Sequence, residues 1–271
     1  MDLPSKRSLG QNFLVDANVA AKIVDSLQTE PGDRVLEIGP GNGALTGLLL
    51  QRARKVLALE KDRTLAGAIK RHWPELGVIN ADALYFDWER LEGRVERVVG
   101  NLPYNVASPI MWELARHGHG PKRLVFTVQK EVAQRVASPP GNKAYGGLSV
   151  WMQTFLRVRY GFDVSKNVFQ PRPEVTSAVL ILEPRPASGR PLDPDSLSRL
   201  IKLCFQKRRK QLGRILREHW SEPVEQWLRD QDLDRRNRPE DLSPGQFEAL
   251  SRVLKVQRSA FNVQRSKDRR Q

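Results

Sequence analysis

Residues 34–43 read RVLEIGPGNG, an apolar run followed by a glycine-rich turn. The aliphatic run predicts a buried strand. The three glycines, Gly39, Gly41 and Gly43, permit a tight turn and let the backbone approach a ligand closely. Their spacing is G-x-G-x-G, which differs from the G-x-G-x-x-G of dinucleotide-binding dehydrogenases. The turn therefore predicts either a ligand-binding loop or a purely structural strand-to-helix connection.

Outward from this strand, up to residue 183, short β-rich runs alternate with amphipathic stretches of helical length. This alternation predicts β-α-β crossovers. We predict an α/β fold: a doubly wound Rossmann-like domain with a mostly parallel seven-stranded sheet, plus a small α-helical C-terminal domain. The predicted strands are 34–38, 56–60, 78–80, 95–100, 124–129, 156–164 and 175–183. The predicted helices are 17–28, 44–52, 64–73, 109–117, 130–136 and 148–155.

The segment EPRPASGRPLDPD at 183–195 contains four prolines and predicts a linker. Beyond it, Pro194 and Pro244 each follow a capping residue, which is typical of helix starts. Asp16 and Asp62 are predicted helix caps in the first part of the chain. The predicted division is a ligand-binding domain at 1–185, a helical domain at 186–255 and a basic tail at 256–271.

The net charge of +14 favours a polyanionic partner, and nucleic acid is the commonest one. A generally basic, well-solvated surface is the alternative. The single cysteine, Cys204, excludes a disulfide framework and indicates a reducing cytoplasm. No stretch reaches the roughly 18 consecutive apolar residues of a membrane helix, and residues 1–10 do not resemble a secretory signal. We therefore expect a cytoplasmic protein without a membrane partner.

Acidic residues occupy three positions where they can contact an adenosine-containing cofactor. Glu60 ends the strand after the glycine turn, where a carboxylate accepts both ribose hydroxyl protons. The presence of Glu60 does not distinguish an NAD site from an S-adenosylmethionine site, because both cofactors carry that ribose. Glu37, just before the glycines, suits a cationic methionyl group better than a pyrophosphate. Asp82, after the third strand, can accept a proton from an adenine amino group or simply serve as a turn residue.

The tetrapeptide Asn101-Leu102-Pro103-Tyr104 follows the carboxyl end of a predicted strand, where open α/β sheets bind ligands. Adenine N6 is a weak nucleophile, so its two N–H groups need acceptors. The Asn101 side-chain carbonyl and the Leu102 backbone carbonyl can supply them. Pro103 stiffens this backbone, and Tyr104 can stack on a flipped base. An ordinary turn is the structural alternative.

These residues, with SLGQNFL at 8–14, VQKEVA at 128–133 and FQPRPEVTS at 169–177, resemble the adenine-N6 dimethyltransferases of ribosomal RNA, particularly the bacterial small-subunit enzymes. The resemblance covers nearly the whole chain and implies S-adenosylmethionine as cofactor. It implies cofactor contacts from Gln11, Asn12, Leu14, Glu37, Gly39, Gly41, Glu60, Lys61, Asp82, Ala83 and Asn101. It also implies catalytic or target-base roles for Asn101, Leu102, Pro103, Tyr104 and Phe169. Phe169 would sandwich the base against Tyr104; a core aromatic is the alternative.

The segment FQKRRKQL at 205–212 is similar to the basic helix of that family's C-terminal domain. Such cations neutralise phosphates and position an RNA without reading its sequence. The predicted RNA-binding residues are Lys207, Arg208, Arg209, Lys210 and Arg214. A solvated helix face is the alternative. None of the four histidines has metal-ligand spacing, so no metal is predicted.

The resemblance implies that methyl groups pass from S-adenosylmethionine to N6 of two adjacent adenines in a 3′-terminal hairpin of small-subunit rRNA. The implied partner is the immature 30S subunit, and we expect a monomer. Residues 1–185 would then be the methyltransferase domain and 186–255 the RNA-binding domain. Two alternatives remain: a large-subunit rRNA adenine dimethyltransferase, and a non-catalytic ribosome-assembly or transcription factor on the same fold.

Overall fold

The structure, a computed structural model, describes residues 11–117, 120–206 and 210–254. The chain divides into two compact units. Of the described residues, the first unit comprises those up to 138 together with 155–190, and the second comprises 139–154 and those from 191 onward. This division differs from the predicted boundary at 185/186, because residues 139–154 belong to the second unit.

The first unit is built on a seven-stranded sheet in the order β4-β3-β2-β5-β6-β9-β7. The strands from β4 to β6 in this order are parallel, whereas β9 runs antiparallel to both of its neighbours. The prediction of a mostly parallel seven-stranded sheet is therefore confirmed. The strands are β1 (Phe13–Leu14), β2 (Arg34–Ile38), β3 (Lys55–Glu60), β4 (Gly77–Asn80), β5 (Arg97–Asn101), β6 (Arg123–Gln129), β7 (Leu156–Val164), β8 (Phe169–Gln170) and β9 (Ser177–Pro184).

Five helices connect the strands of this unit and bury their apolar faces. Asp16 caps α1 by accepting a hydrogen bond from the Val19 amide at 2.9 Å. Asp62 caps α3 through the Thr64 and Leu65 amides, so both predicted caps are present. The helices are α1 (Ala17–Leu27), α2 (Thr46–Leu50), α3 (Arg63–His72), α4 (Ala107–His117) and α5 (Lys130–Ala137).

The sequence did not predict a second, two-stranded sheet formed by β1 and β8. Their antiparallel register sets Phe13 opposite Gln170 and Leu14 opposite Phe169. Each strand is only two residues long, which is too short for a periodicity signal. The pairing brings the N-terminal motif and the motif around Phe169 together at the sheet.

The second unit is helical, and residues 139–154 belong to it through specific contacts. The Tyr145 hydroxyl donates a hydrogen bond to the Leu242 carbonyl at 3.0 Å, and the Gly141 amide donates one to Glu240 at 2.7 Å. A Cβ on Gly147 would lie 3.0 Å from the Ile201 side chain. These contacts are distant in sequence, so the linker at 183–195 did not reveal them. The helices are α6 (Gly147–Phe155), α7 (Pro194–Phe205), α8 (Leu212–Ile215), α9 (Glu222–Asp230) and α10 (Pro244–Val253).

Within residues 11–117, 120–206 and 210–254 there is neither a membrane-spanning helix nor a candidate metal-binding cluster. None of these helices combines the length and apolar character needed to cross a bilayer. The same residues contain no group of three or more His, Cys, Asp or Glu side chains that could hold a metal ion. Cys204 is fully buried, and burial raises the pKa of its thiol to about 12.

Candidate active site

A cleft of about 940 Å³, including its open mouth, lies at the carboxyl ends of the central parallel strands. This edge of an open α/β sheet is where ligands bind. Twelve of the fifteen predicted cofactor and catalytic residues line it: Gln11, Asn12, Gly39, Gly41, Glu60, Lys61, Asp82, Ala83, Asn101, Leu102, Pro103 and Tyr104. The exceptions are Leu14, Glu37 and Phe169.

The glycine turn requires glycine on conformational grounds. Gly39, Gly41 and Gly43 have φ angles of +66°, +56° and +84°, a region that side chains disfavour. A Cβ on Gly41 would also lie 2.8 Å from the Phe13 ring. The turn thus brings bare backbone against the cleft, with Phe13 closing one side.

A smaller cavity of about 300 Å³ adjoins the glycine turn. Leu14 and Glu37 line this cavity rather than the main cleft. Both cavities are lined by Phe13, Gly39, Gly41 and Asn101. Asn42 also lines it, and its Oδ1 atom is buried with no hydrogen-bond partner in the described chain. A buried acceptor without a partner is costly, which indicates that a ligand donor completes it.

Glu37 is a buried acid in this smaller cavity, with 1% of its surface exposed. The Thr46 hydroxyl donates a hydrogen bond to its Oε2 atom at 2.6 Å. Burial raises the pKa of Glu37 to about 7, because desolvation disfavours the carboxylate more than Thr46 stabilises it. Repulsion from Glu60 adds to the shift. A cation brought into this cavity would therefore favour the ionised form.

Glu60 ends β3 and is 6% exposed. Burial raises its pKa, although hydrogen bonds from the Asp62 and Gly41 backbone amides oppose the shift. The Asp62 amide donates to Glu60 Oε1 at 2.7 Å. These backbone donors hold the carboxylate at the cleft wall, beside the glycine turn.

Asp82 follows β4 and forms an ion pair with Lys61, with 2.8 Å between Lys61 Nζ and Asp82 Oδ2. The Leu84 amide donates to its other oxygen at 3.0 Å. Burial alone would raise the pKa of Asp82, but the Lys61 and Leu84 hydrogen bonds bring it below its ordinary value. Asp82 is therefore an ionised acceptor at its end of the cleft, and it also forms the turn that the structural alternative predicted.

Asn101 is the last residue of β5, and two contacts fix its position. Its side-chain Nδ2 donates to the Asn12 carbonyl at 2.8 Å. In the next residue, the Leu102 amide donates to the Thr127 carbonyl on β6 at 3.1 Å. Because the amide nitrogen is used in holding Asn12, the Oδ1 atom of Asn101 remains as the acceptor side of the group.

Tyr104 lines the cleft and is half-buried, whereas Phe169 does not line it. The Tyr104 hydroxyl forms a hydrogen bond with the hydroxyl of Ser177. Phe169 is 4% exposed and belongs to the hydrophobic core with Leu14. The structure does not bring Phe169 and Tyr104 together in the cleft, and the base sandwich stays a prediction.

The second unit has a basic concavity, which we define by its lining residues Leu203, Gln206, Lys210, Arg214, Ile215 and Arg217. Three of the six are cations, and no described acidic residue lines it. Two predicted RNA-binding residues, Lys210 and Arg214, meet here. The other three, Lys207, Arg208 and Arg209, lie outside the described residues.

Three residues of this site were given no role from sequence. Phe13 lies within the N-terminal motif, but only the fold brings its ring against Gly41. Asn42 lies between glycines and reads as a turn residue. Ser177 is 73 positions from its partner Tyr104, and no local pattern links the two.

Comparisons with known proteins agree with one another over most of the chain. The family described as "Ribosomal RNA adenine dimethylase" matches residues 3–255. The Ribosomal RNA small subunit methyltransferase A of Maridesulfovibrio salexigens is 51% identical over 253 residues, covering 93% of this chain and 96% of that protein. The protein of the same name from Oleidesulfovibrio alaskensis is 48% identical, covering 93% and 92%.

Two solved structures are similar over most of their length. A dimethyladenosine transferase from Plasmodium falciparum aligns with a TM-score of 0.73 and 25% identity, covering 88% of this chain and 95% of that one. The 23S rRNA methyltransferase ErmE aligns with a TM-score of 0.66 and 27% identity, covering 90% and 99%. Both likenesses extend well beyond the first unit.

Proposed function

The chain belongs to the ribosomal RNA adenine dimethylase family, and from this premise we propose that it methylates N6 of two adjacent adenines in a 3′-terminal hairpin of small-subunit rRNA. The product would be N6,N6-dimethyladenine. The observation that best supports this proposal is Asn101, held through Asn12 at the tip of β5 in a cleft with the glycine turn. The same tip carries the Leu102 carbonyl.

The residues of the two cavities fit S-adenosylmethionine. Glu60 and Asp82 are acceptors for ribose hydroxyls and an adenine amino group, and Lys61 beside Asp82 keeps the latter ionised. In the smaller cavity, Glu37 and the unpartnered Asn42 Oδ1 suit the ammonium of the methionyl group. Gln11, Asn12 and Ala83 line the cleft between these ends. Among the described residues, none that lines the smaller cavity is basic, which makes it a poor site for a pyrophosphate.

When bound, S-adenosylmethionine would supply an activated sulfonium methyl group and depart as the neutral thioether, and the methylated nitrogen would then lose one N–H proton to water. Because this proton is lost after the nitrogen has attacked, no strong general base is needed. The protein's task is to present the target amine, whose lone pair is delocalised into the adenine ring. Asn101 Oδ1 and the Leu102 carbonyl accept hydrogen bonds from the two N–H groups of this amine. These bonds draw the nitrogen toward tetrahedral geometry. Pre-positioning of this kind lowers the barrier chiefly by removing the entropic cost of alignment.

Tyr104 supports the flipped base from the wall of the same cleft. Aromatic side chains hold extrahelical bases by stacking, which is tolerant of ring position but sensitive to ring orientation. Pro103 stiffens the segment between the two acceptors and this ring. A monomethylated amine can re-enter the same site, because the acceptors are two separate oxygens that need not both be occupied.

The large-subunit alternative rests on the ErmE likeness of 27% identity, whereas two relatives named for the small subunit are 51% and 48% identical. A non-catalytic factor would not need the cleft, yet Gly39, Glu60 and Asn101 all line it. The small-subunit enzyme is therefore the better-supported assignment.

We further propose that the second unit binds the RNA backbone through its basic concavity, and that the partner is the immature 30S subunit. Lys210, Arg214 and Arg217 can neutralise phosphates without base readout. The substrate named for the relatives is ribosomal RNA, and the single cysteine is buried as a free thiol. Both features fit a protein that works in the bacterial cytoplasm, and we propose that it acts there as a monomer.

The proposal is tested by supplying the protein with labelled S-adenosylmethionine and either purified small subunits or purified large subunits. We expect label in small-subunit rRNA, recovered as dimethyladenine on digestion and mass spectrometry. Label confined to the large subunit would establish the alternative enzyme. No label with either subunit, in the presence of measurable cofactor binding, would favour the assembly-factor alternative.

A further inference from the structure

We propose that Ser177 is a positioning residue that fixes the orientation of Tyr104 in the active site, an inference that rests on the proposed function. Ser177 is fully buried at the start of β9, and its Oγ atom lies 2.5 Å from the Tyr104 hydroxyl oxygen. The sequence motifs did not predict this contact between Ser177 and Tyr104. The site therefore includes a buried residue that contacts a cleft-lining side chain without lining the cleft itself.

Ser177 is the one polar residue in the buried part of β9, residues 177–182. The residues that follow it, 178–182, read AVLIL and are all buried. A buried hydroxyl costs free energy unless it is hydrogen-bonded. The Tyr104 hydroxyl supplies that bond, so the serine is explained by its partner rather than by packing.

The backbone of Ser177 is held from both sides. It pairs with Gln129 on β6 and with Val164 on β7. The neighbouring Thr176 carbonyl also accepts a hydrogen bond from the Lys130 amide at 2.9 Å. The hydroxyl of Ser177 thus projects from a backbone that is paired on both sides.

Tyr104 is consequently fixed at both of its ends. Its backbone follows β5 and enters a turn closed by the Val106 amide and the Pro103 carbonyl at 3.1 Å. Its ring has only two rotatable side-chain bonds, and the far end is bound to Ser177. Burial raises the pKa of Tyr104, so the hydroxyl stays protonated and the contact is a neutral hydrogen bond. A ring held this way offers a stacking surface in one orientation before the base arrives.

The test measures kcat, KM for small subunits and cofactor affinity in Ser177→Ala, Tyr104→Phe and the double variant. We expect each single variant to lower kcat about tenfold with cofactor affinity unchanged, because a loosened ring misaligns the base. The double variant should be no slower than the slower single variant, since both remove the same contact.

Ser138→Ala is the matched control, because it also removes a buried serine hydroxyl, one that donates to the Gln134 carbonyl at 2.6 Å. It should lower the melting temperature without changing kcat. Wild-type kcat in Tyr104→Phe, or additive losses in the double variant, would overturn the inference. Tyr104→Phe alone decides if Ser177→Ala does not fold. Absence of methylation by the wild-type protein would instead overturn the proposed function.

Discussion

The cleft of the first unit and the basic concavity of the second unit differ in how their polar side chains are held. Glu60 in the cleft and Glu37 in the smaller cavity beside it are almost fully buried, and Asn101 is fixed by its hydrogen bond to the Asn12 carbonyl. In the concavity, Lys210, Arg214 and Arg217 surround open space. Buried polar groups stabilise a ligand through hydrogen bonds of fixed geometry. Cations at a surface attract a polyanion through their total charge, and dissolved salt weakens this attraction.

This difference determines how each region tolerates change. A buried acceptor works only at one distance and angle, so its loss is not compensated by neighbours. Phosphate contacts add up approximately, and each can be replaced by another nearby cation. We therefore expect large, specific defects from the cleft and small, graded, salt-dependent defects from the concavity.

The largest effect is expected from Asn101→Ala. This change removes one of the two acceptors for the target amine and should reduce kcat about a thousandfold, comparable to losing a charge-stabilising group in other enzymes. RNA binding should remain close to normal, because the concavity is untouched. Methylation rate and filter binding of small-subunit rRNA measure the two quantities.

Asn167→Ala provides the control, since Asn167 is exposed outside the cleft. It should match the wild-type protein in both assays. Normal turnover in Asn101→Ala would show that the acceptor has been wrongly assigned.

A smaller effect is expected from pH. The pKa of Glu37 is raised to about 7 in the free protein, and a bound cation favours its carboxylate. Proton release therefore accompanies binding, and affinity for S-adenosylmethionine should rise about tenfold from about pH 6 to about pH 8. Glu37→Gln should bind more weakly at the upper pH and lose this rise. Isothermal titration across the range measures it.

The exposed Asp25 provides the comparison for Glu37, because it lies on α1 and pairs with Arg52 outside the cleft. Asp25→Asn should keep the full pH dependence. Two outcomes would show that Glu37 does not take part in cofactor binding. One is a wild-type affinity that does not vary with pH, and the other is an equal variation with pH in Glu37→Gln.

The smallest effect is expected from the concavity. Replacing Lys210 and Arg214 together with alanine should weaken rRNA binding severalfold and reduce the slope of log affinity against log salt by about two, one for each cation. The rate with saturating RNA should change little. A double replacement of Arg229 and Arg252, which do not line the concavity, removes the same charge. An equal change of slope in both double variants would show that general charge, rather than this concavity, binds the RNA.

Structural features that depend on residues close together in the chain were predictable from the sequence. The seven main strands, the caps Asp16 and Asp62, and the glycine turn each follow from periodicity or turn chemistry. The clustering of the residues that end or follow the parallel strands was predictable too, because the carboxyl ends of these strands meet at one edge of the sheet. That is why Glu60, Asp82 and Asn101 line a common cleft.

The sequence by itself determined the fold class, the family and most of the residues that line the cleft. Only the tertiary structure decided the pairing of β1 with β8, the transfer of residues 139–154 to the helical unit, and the contact between Ser177 and Tyr104. Phe169, expected beside the base, lies in the core instead of lining the cleft. All of these depend on contacts between residues far apart in the chain, and local propensity carries no information about which distant partner a side chain meets.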